Sequence, residues 1–579
     1  MYNDPTKRMK RIAKSLKDQR TDWEPHFEVL ERHFMPRRGN FSADPVNKAR
    51  TDRGKELNQT LIDGTPMRAL RILKSGLQAG ITSPARPWFR LQPLDPGKRK
   101  NKNVTEYLAK AEYEMRRLAE RTGIYNMLHT GYGDLGVYGS ECGLIEDKGP
   151  TDLRPVQLVP GSYWLGSTQE QTIDTIYREF GLTVNQIVGK FVFRGNPSST
   201  PDWSKVPDTI KRAFDNGDVG DTKKVQQLIM PRTERDPRKQ DGQNKKIASE
   251  YYMAEEDGSG DSGNHIQMGD LGYDTNPISA SRWDVVGYET YGRSPAMETL
   301  PDVRELFAKR RDYMEMLRRL NRPPMNAHSD LRNSAFSLMP GRVNFMQDPS
   351  KGLVPAYQVS PQLGPIVQDI ESSKDAIWSG MYADLFMMIS QLDRRQITAT
   401  EIGERREEKL IALGPVLERL HFEKLKPLVE RLFDRVQTSG VLGAPPIELV
   451  DEEIEIDFIS MLAQAQKAVA TGAMERFAGF VGNMAAVKPQ VLDKFDEDKA
   501  VDEYADMLGV PPSVVRAQEE VDGIRAARQQ AEAQAAQMEM ATQMAGAANQ
   551  GAQAAKVLSE ADSPRGSAPG DVLAKAGLA

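Results

Sequence analysis

From Asp302 to Leu320 the apolar residues Val303, Leu306, Phe307, Tyr313, Leu317 and Leu320 recur at helical spacing, with charge on the other faces from Arg304 and Lys309 to Arg318 and Arg319. The pattern predicts a helix. Asp302 and Glu305 can form a capping box that places its start, and Pro323 and Pro324 forbid its continuation. Residues 325–360 lose the period and collect Pro, Gly and Asn, so they should form a compact excursion. A second stripe, Ile366, Ile370, Ile377, Met381, Leu385 and Met388, returns after Pro365 and predicts a helix antiparallel to the first. QLDRRQI (391–397) interrupts it. Thr398 with Glu401 then opens a third helix, which Gly414-Pro415 should kink.

Before this stretch, residues 6–35 read as one amphipathic helix (Ile12, Leu16, Trp23, Phe27, Leu30, Phe34) ended by Pro36. Further helices are expected at 54–80 and 104–121, with the Trp88-Phe89 pair between them as core packing. From Tyr132 to Phe193 short alternating segments at 142–147, 155–160 and 172–180 predict a small antiparallel sheet, followed by a helix at 184–193. Residues 225–231 and 247–254 are strand candidates flanking a charged loop. After the third helix, 451–458 alternates Ile454, Ile456 and Phe458 with acids, and helices are expected at 460–480 and 497–508. Residues 516–558 combine high helix propensity with too little bulk for a private core: either a helix that packs against its own copies or a partly disordered tail.

Composition narrows the function. A chain of 579 residues exceeds one ordinary core, and its net charge of -5 argues against a protein that coats DNA with a basic face, though not against one that lets DNA slide past. The basic excess of residues 6–35 reads as a solvated face, with contact to DNA or a neighbouring subunit as the sharper reading, and KRKNKN (98–103) as a solvated turn. A single cysteine, Cys142, rules out an intrachain disulfide and fits a reducing compartment. No signal-peptide core and no bilayer-length apolar run is present, so no membrane partner is expected. There is no phosphate loop for a nucleotide, and six histidines with one cysteine do not suggest zinc. Gly260-Asp261-Ser262-Gly263 matches a serine-protease motif without the strands that would support it. Glu452, Glu453, Glu455 and Asp457 could hold Mg²⁺ for nuclease chemistry, but they read better as the wet face of an edge strand. No cofactor is expected, and no enzyme activity.

SPARPWFRL (83–91), LTVNQI (182–187) and YGRSPAMETLPDVREL (291–306), by their order and spacing along one chain, resemble the portal, or head-to-tail connector, proteins of short-tailed phages over about residues 20–510. The resemblance implies an α+β, mainly helical ring subunit with a small antiparallel sheet in its wing. It implies a wing at 1–290, stem helices at 291–322 and 361–390, a clip at 323–360 and a channel loop at 391–397. The kinked helix, wing and crown would follow at 398–510, and 511–579 would be a C-terminal helix, of the kind that forms a barrel in some family members, with a disordered tail. On this reading Val303, Leu306, Phe307, Leu317, Ile370, Ile377, Met381 and Leu385 pack the stem, and their stripes need neighbouring copies to bury them. Arg394 and Arg395 would face the channel, and Asn326, Arg332 and Arg342 of the clip would meet partners. The expected assembly is a homo-oligomeric ring of about twelve subunits passing double-stranded DNA without reading its sequence. Its other partners would be the major capsid and scaffold proteins, the terminase large subunit and the tail adaptors. The location would be the portal vertex of the virion, assembled in the host cytoplasm. The alternatives are another structural virion protein, such as a scaffold or tail component, or a metal-dependent nucleic-acid-processing enzyme.

Overall fold

The computed structural model describes residues 4–41, 61–95, 98–149, 151–193, 200–239, 241–255, 265–333, 363–391, 413–449, 452–459, 476–485, 488–508 and 518–561, with single positions at 474 and 516 and several between 337 and 356. The chain divides into two compact units, 1–473 and 474–579. Its class is α+β: long helices with small antiparallel sheets.

The first unit opens with α1 (Pro5–Thr21), capped by Asp4, whose carboxylate accepts from the Thr6 N–H at 3.0 Å. The single helix expected over 6–35 is two. Pro25 has no N–H to give Thr21, so the chain restarts as α2 (Glu24–Phe34) with the proline in its first turn. Then come α3 (Thr65–Ile81), β1 (Arg90–Pro93), α4 (Lys102–Thr122) and α5 (Ile124–Tyr138). The last corrects the alternating pattern expected from Tyr132 onward. A helix buried on nearly every side, as α5 is, has no polar face and so no stripe to read.

Two antiparallel sheets follow. In the three-stranded one, β2 (Ser140–Asp147) lies between β3 (Leu153–Gln157) and β9 (Ile278–Arg282). The five-stranded sheet runs in the order β4 (Tyr163–Ser167), β5 (Ile173–Thr183), β6 (Thr222–Pro231), β7 (Ile247–Ala254) and β8 (His265–Tyr273). One set of its side chains, Trp164, Tyr177, Leu228 and Tyr252, packs on Met9, Ala13 and Leu16 of α1. Another, Val225, Tyr251, Met253 and Met268, packs on Val184–Val192 and on Ile210 of α6 (Asp208–Asp215). The cations of α1 are not simply solvated. Arg8 pairs with Glu250, Lys17 with Glu179 at 2.9 Å, and Arg20 donates to the Gly161 carbonyl at 3.2 Å, clamping the helix to the sheet.

The long helix of the hairpin, α7 (Pro295–Asn321), starts seven residues before the expected Asp302. Ser294 is its cap, accepting from the Met297 N–H at 3.1 Å, and Pro295 fills the first turn; Pro301 lies inside the helix without ending it. The returning helix is broken: α8 (Leu363–Gly380) ends before Tyr382, whose φ of 55° no α-helix accommodates, and α9 (Ala383–Gln391) resumes. Thr299 touches Gly380, while ten residues on Lys309 pairs with Asp369 at 2.7 Å, so α7 and α8 run antiparallel. A two-residue antiparallel ribbon, β10 (Met325–Asn326) with β11 (Val354–Pro355), closes the base of the excursion beyond them.

Pro415 stands in the first turn of α10 (Gly414–Leu420), and the Thr398–Glu401 start expected for the third helix lies outside the described residues. Within the described part an irregularity lies further on, in a π-turn over His421–Leu425 that leads into α11 (Lys426–Thr438). Pro427 explains it. Without an N–H for the Glu423 carbonyl, and with a ring that crowds it, the helix widens by one residue. Finally β12 (Ile454–Asp457) pairs antiparallel with β1.

In the second unit, α12 (Glu497–Leu508) is joined to the first turns of α13 (Gln518–Ala561) by an Arg525–Asp498 ion pair at 2.6 Å. The Ala/Gln/Met segment is one continuous 44-residue helix, exposed at nearly every position whose side chain is described. Residues 562–579, and most of the expected helix at 460–480, lie outside the described residues.

Candidate functional site

The hairpin is rooted where α5 ends. Gly139 takes a φ of 68° to turn from the helix into β2, its carbonyl accepts from the Trp283 N–H at 2.8 Å, and Ser294 donates to the Val137 carbonyl at 2.7 Å. Ser140 Oγ accepts from the Gly292 N–H at 2.7 Å, so the turn into α7 is fastened from both sides. Above this root Val303, Leu306, Phe307, Ile370, Ile377, Met381 and Leu385 are all buried in the chain's own main core; Leu317 is half-buried. The expectation that these stripes need neighbouring copies is thus corrected for the root of the hairpin. There α2, α3 and α5 already cover them, as in the stacking of His33 on Phe307 at 5.5 Å.

Behind the root lies a chain of buried charges that the sequence reading missed. Lys424, in the π-turn, pairs with Glu141 of β2, and both side chains are 0% exposed. Glu141 also accepts from Ser281 at 2.8 Å and from the Gln157 amide at 3.0 Å, and that amide reaches Asp134 at 3.3 Å. Asp134 in turn receives a two-pronged contact from Arg38 at 2.9 and 2.8 Å. Two carboxylates and two cations so neutralise each other away from water. Next to it Glu423 pairs with Arg282 at 2.6 Å, and Arg431 with Asp147 at 2.6 Å. The π-turn and α11 are pinned to the sheet by side chains from successive positions. One signal was available: Asp134 and Glu141 are isolated acids in a run of small and apolar residues, where an acid is rarely buried unless paired.

His421 begins the π-turn and stacks on Phe458 with ring centroids 4.4 Å apart and planes 9° from parallel. Burial lowers its pKa from 6.5 to about 4, against the opposing pull of Asp457. The unfolded chain therefore takes up this proton as pH falls through 6.5, and the folded chain only near 4. Stability should be whole above pH 6.5 and fall across that window by on the order of 3 kcal/mol. Urea midpoints at pH 7 and 4.5 should show that fall in the wild type and a smaller one in His421→Phe.

Of the remaining expected positions, Asn326 is exposed in the β10–β11 ribbon, and Arg332 and Arg342 are exposed in the excursion. Arg394, Arg395 and Gly260–Gly263 lie outside the described residues. Among the acids of 452–457, Glu452 and Glu455 are engaged. Glu452 pairs with Lys98 and Glu455 with Arg99 at 2.9 Å across the β1–β12 ribbon, so KRKNKN and the acidic strand satisfy each other. Trp88 and Phe89 are buried, edge to face at 4.6 Å.

The family described as "Bacteriophage head to tail connecting protein" matches residues 6–515, which takes in every element from α1 to α12. This chain belongs to that family. The "Probable portal protein" of Bordetella phage BPP-1 is 35% identical over 559 residues, covering 96% of each chain. The "Portal protein" of Salmonella phage epsilon15 is 35% identical over 555 residues, covering 95% of each. A chain from the "Virion of native gene transfer agent (GTA) particle" aligns over 72% of this chain and 86% of its own length, at 11% identity and a TM-score of 0.30, too distant to bear on the fold. Among the described residues no helix is long and apolar enough to cross a membrane.

Proposed function

We propose that this chain is the portal subunit of a phage capsid: it closes into a ring at one vertex, and double-stranded DNA enters and leaves through the ring's axis. The observation that carries this reading is family membership over residues 6–515, with two portal proteins aligned over nearly their whole lengths. As a connector it lies between head and tail, so capsid and tail proteins are its neighbours. The finer assignments are twelve subunits, terminase docking at the excursion during packaging with tail adaptors replacing it afterwards, scaffold contact during assembly in the host cytoplasm, and wing, stem, clip and crown regions with the boundaries given above. Motor energy would come from the terminase. Electron microscopy of the purified chain tests the assembly: end-on views should show particles with a central hole wide enough for a duplex, and a population of solitary subunits would overturn it.

Arg394 and Arg395 follow from the same reading. Repeated around the ring they would present cations to a polymer carrying one charge per ~1.7 Å of axis, a contact independent of sequence and weak enough for sliding. Arg394→Ala with Arg395→Ala should leave rings intact and lower DNA retention in packaging assays. Loss of the ring itself would make these residues structural.

A further inference from the structure

The exposed surface of α7 carries two charged stripes of opposite sign. Arg304, Arg311 and Arg318 are spaced by seven residues, as are Glu298, Glu305 and Asp312, and all six are exposed. Seven residues advance a helix by about 10.5 Å with only ~20° of drift, so each set forms a nearly straight line along the axis. Neighbouring residues stand about 100° apart around a helix, which separates the arginine line from the acidic line by one flank. Part of the remaining circumference is occupied: Val303, Leu306 and Phe307 enter the chain's own core, while Thr299 and Lys309 meet α8.

Other cations of this helix have intrachain partners. Lys309 pairs with Glu305 and Asp369, Arg310 with Asp63 at 3.0 Å, and Arg319 with Glu315. Arg304, Arg311 and Arg318 form no ion pair among the described residues, nor do Glu298 and Asp312. Met314, 41% exposed, and Leu320, 37% exposed, lie along the same helix and offer apolar area to whatever covers it.

We propose that the arginine line of one copy packs against the acidic line of α7 in the next copy. The contact rests on the ring reading above and says which surfaces close the ring. A ring needs a heterologous interface, two different patches that fit each other on successive subunits. Two lines of opposite charge, equal in number and equal in repeat, on separate flanks of one helix, meet that requirement. Duplex DNA would take the arginine line but would be repelled by the acidic one, so it accounts for half of the pattern.

Two full-length charge-reversal variants test the pairing, one with Arg304→Glu, Arg311→Glu and Arg318→Glu, the other with Glu298→Lys, Glu305→Lys and Asp312→Lys. Each alone places like charges in apposition, and light scattering and microscopy should find no rings in either. Mixed in equal amounts, the two restore complementary contacts on both sides, and rings should return that contain both chains, read by pulling down a tag carried on only one. Because recovery requires folded subunits, the mixture also controls for misfolding. Wild-type rings should come apart more readily as salt is raised. The pairing is overturned if the arginine variant forms rings by itself, with DNA retention alone reduced, or if the mixture stays unassembled. A wild-type chain that forms no ring would remove the ring and this contact together.

Discussion

Lys424→Met should cost the protein about 3–5 kcal/mol, because it leaves the Glu141 carboxylate charged, fully buried and without its cation. Ser281 and Gln157 would still donate to Glu141, but neutral donors do not replace an ammonium in so dry a site. Adding Glu141→Leu should recover most of the loss, since a matched apolar pair can equal a buried ion pair in stability. The measurement is the urea midpoint of the first unfolding transition for wild type, both single variants and the double. A Lys424→Met midpoint within 1 kcal/mol of wild type, by about the error of such extrapolations, would show that water reaches the site.

Gly139→Ala should be more damaging still. A Cβ there would sit 2.2 Å from the Gly292 carbonyl oxygen and 2.6 Å from its carbon, both backbone atoms fixed by the contacts to Ser140 and Ser294. The positive φ adds about 1–2 kcal/mol for any residue with a side chain. With the turn into α7 displaced as well, the total should exceed about 4 kcal/mol, the range in which single substitutions are exceptional. Gly440→Ala is the control. Its φ is also positive, at 74°, but nothing lies within 4 Å of the added carbon, so only the backbone penalty remains. Thermal melts of the two variants side by side should separate the clash from the dihedral.

Much of this fold could be read from spacing alone. The stripes of α3, α4, α7 and α8 are each buried on one side, and periodicity reports one-sided burial directly. Boundaries failed at two prolines. Pro25 divides a helix that looked continuous, whereas Pro301 sits inside one, and a pattern of apolar residues does not tell these cases apart. The α5 helix was lost because tyrosines and glycines buried all round it leave no period. The anchor was invisible for a different reason: Arg38, Asp134, Glu141 and Lys424 span nearly 400 residues of sequence, and only the packing of α5, β2, β3 and the π-turn brings them into contact. The hairpin drew attention as a whole, but which part of it the chain covers unaided depends on α2, α3 and α5 folding around its root.

The π-turn ahead of Pro427 has one more effect. It works as a single inserted position in an otherwise regular spiral, and the wide turn absorbs that position, so Leu428, Val429 and Leu432 keep the side of the axis they would hold in a regular helix one residue shorter. Deleting one residue between His421 and Leu425 would close the turn without moving them, but would set the Pro427 ring against the carbonyl then lying four residues before it. The deletion should therefore be tolerated only when Pro427 is replaced as well.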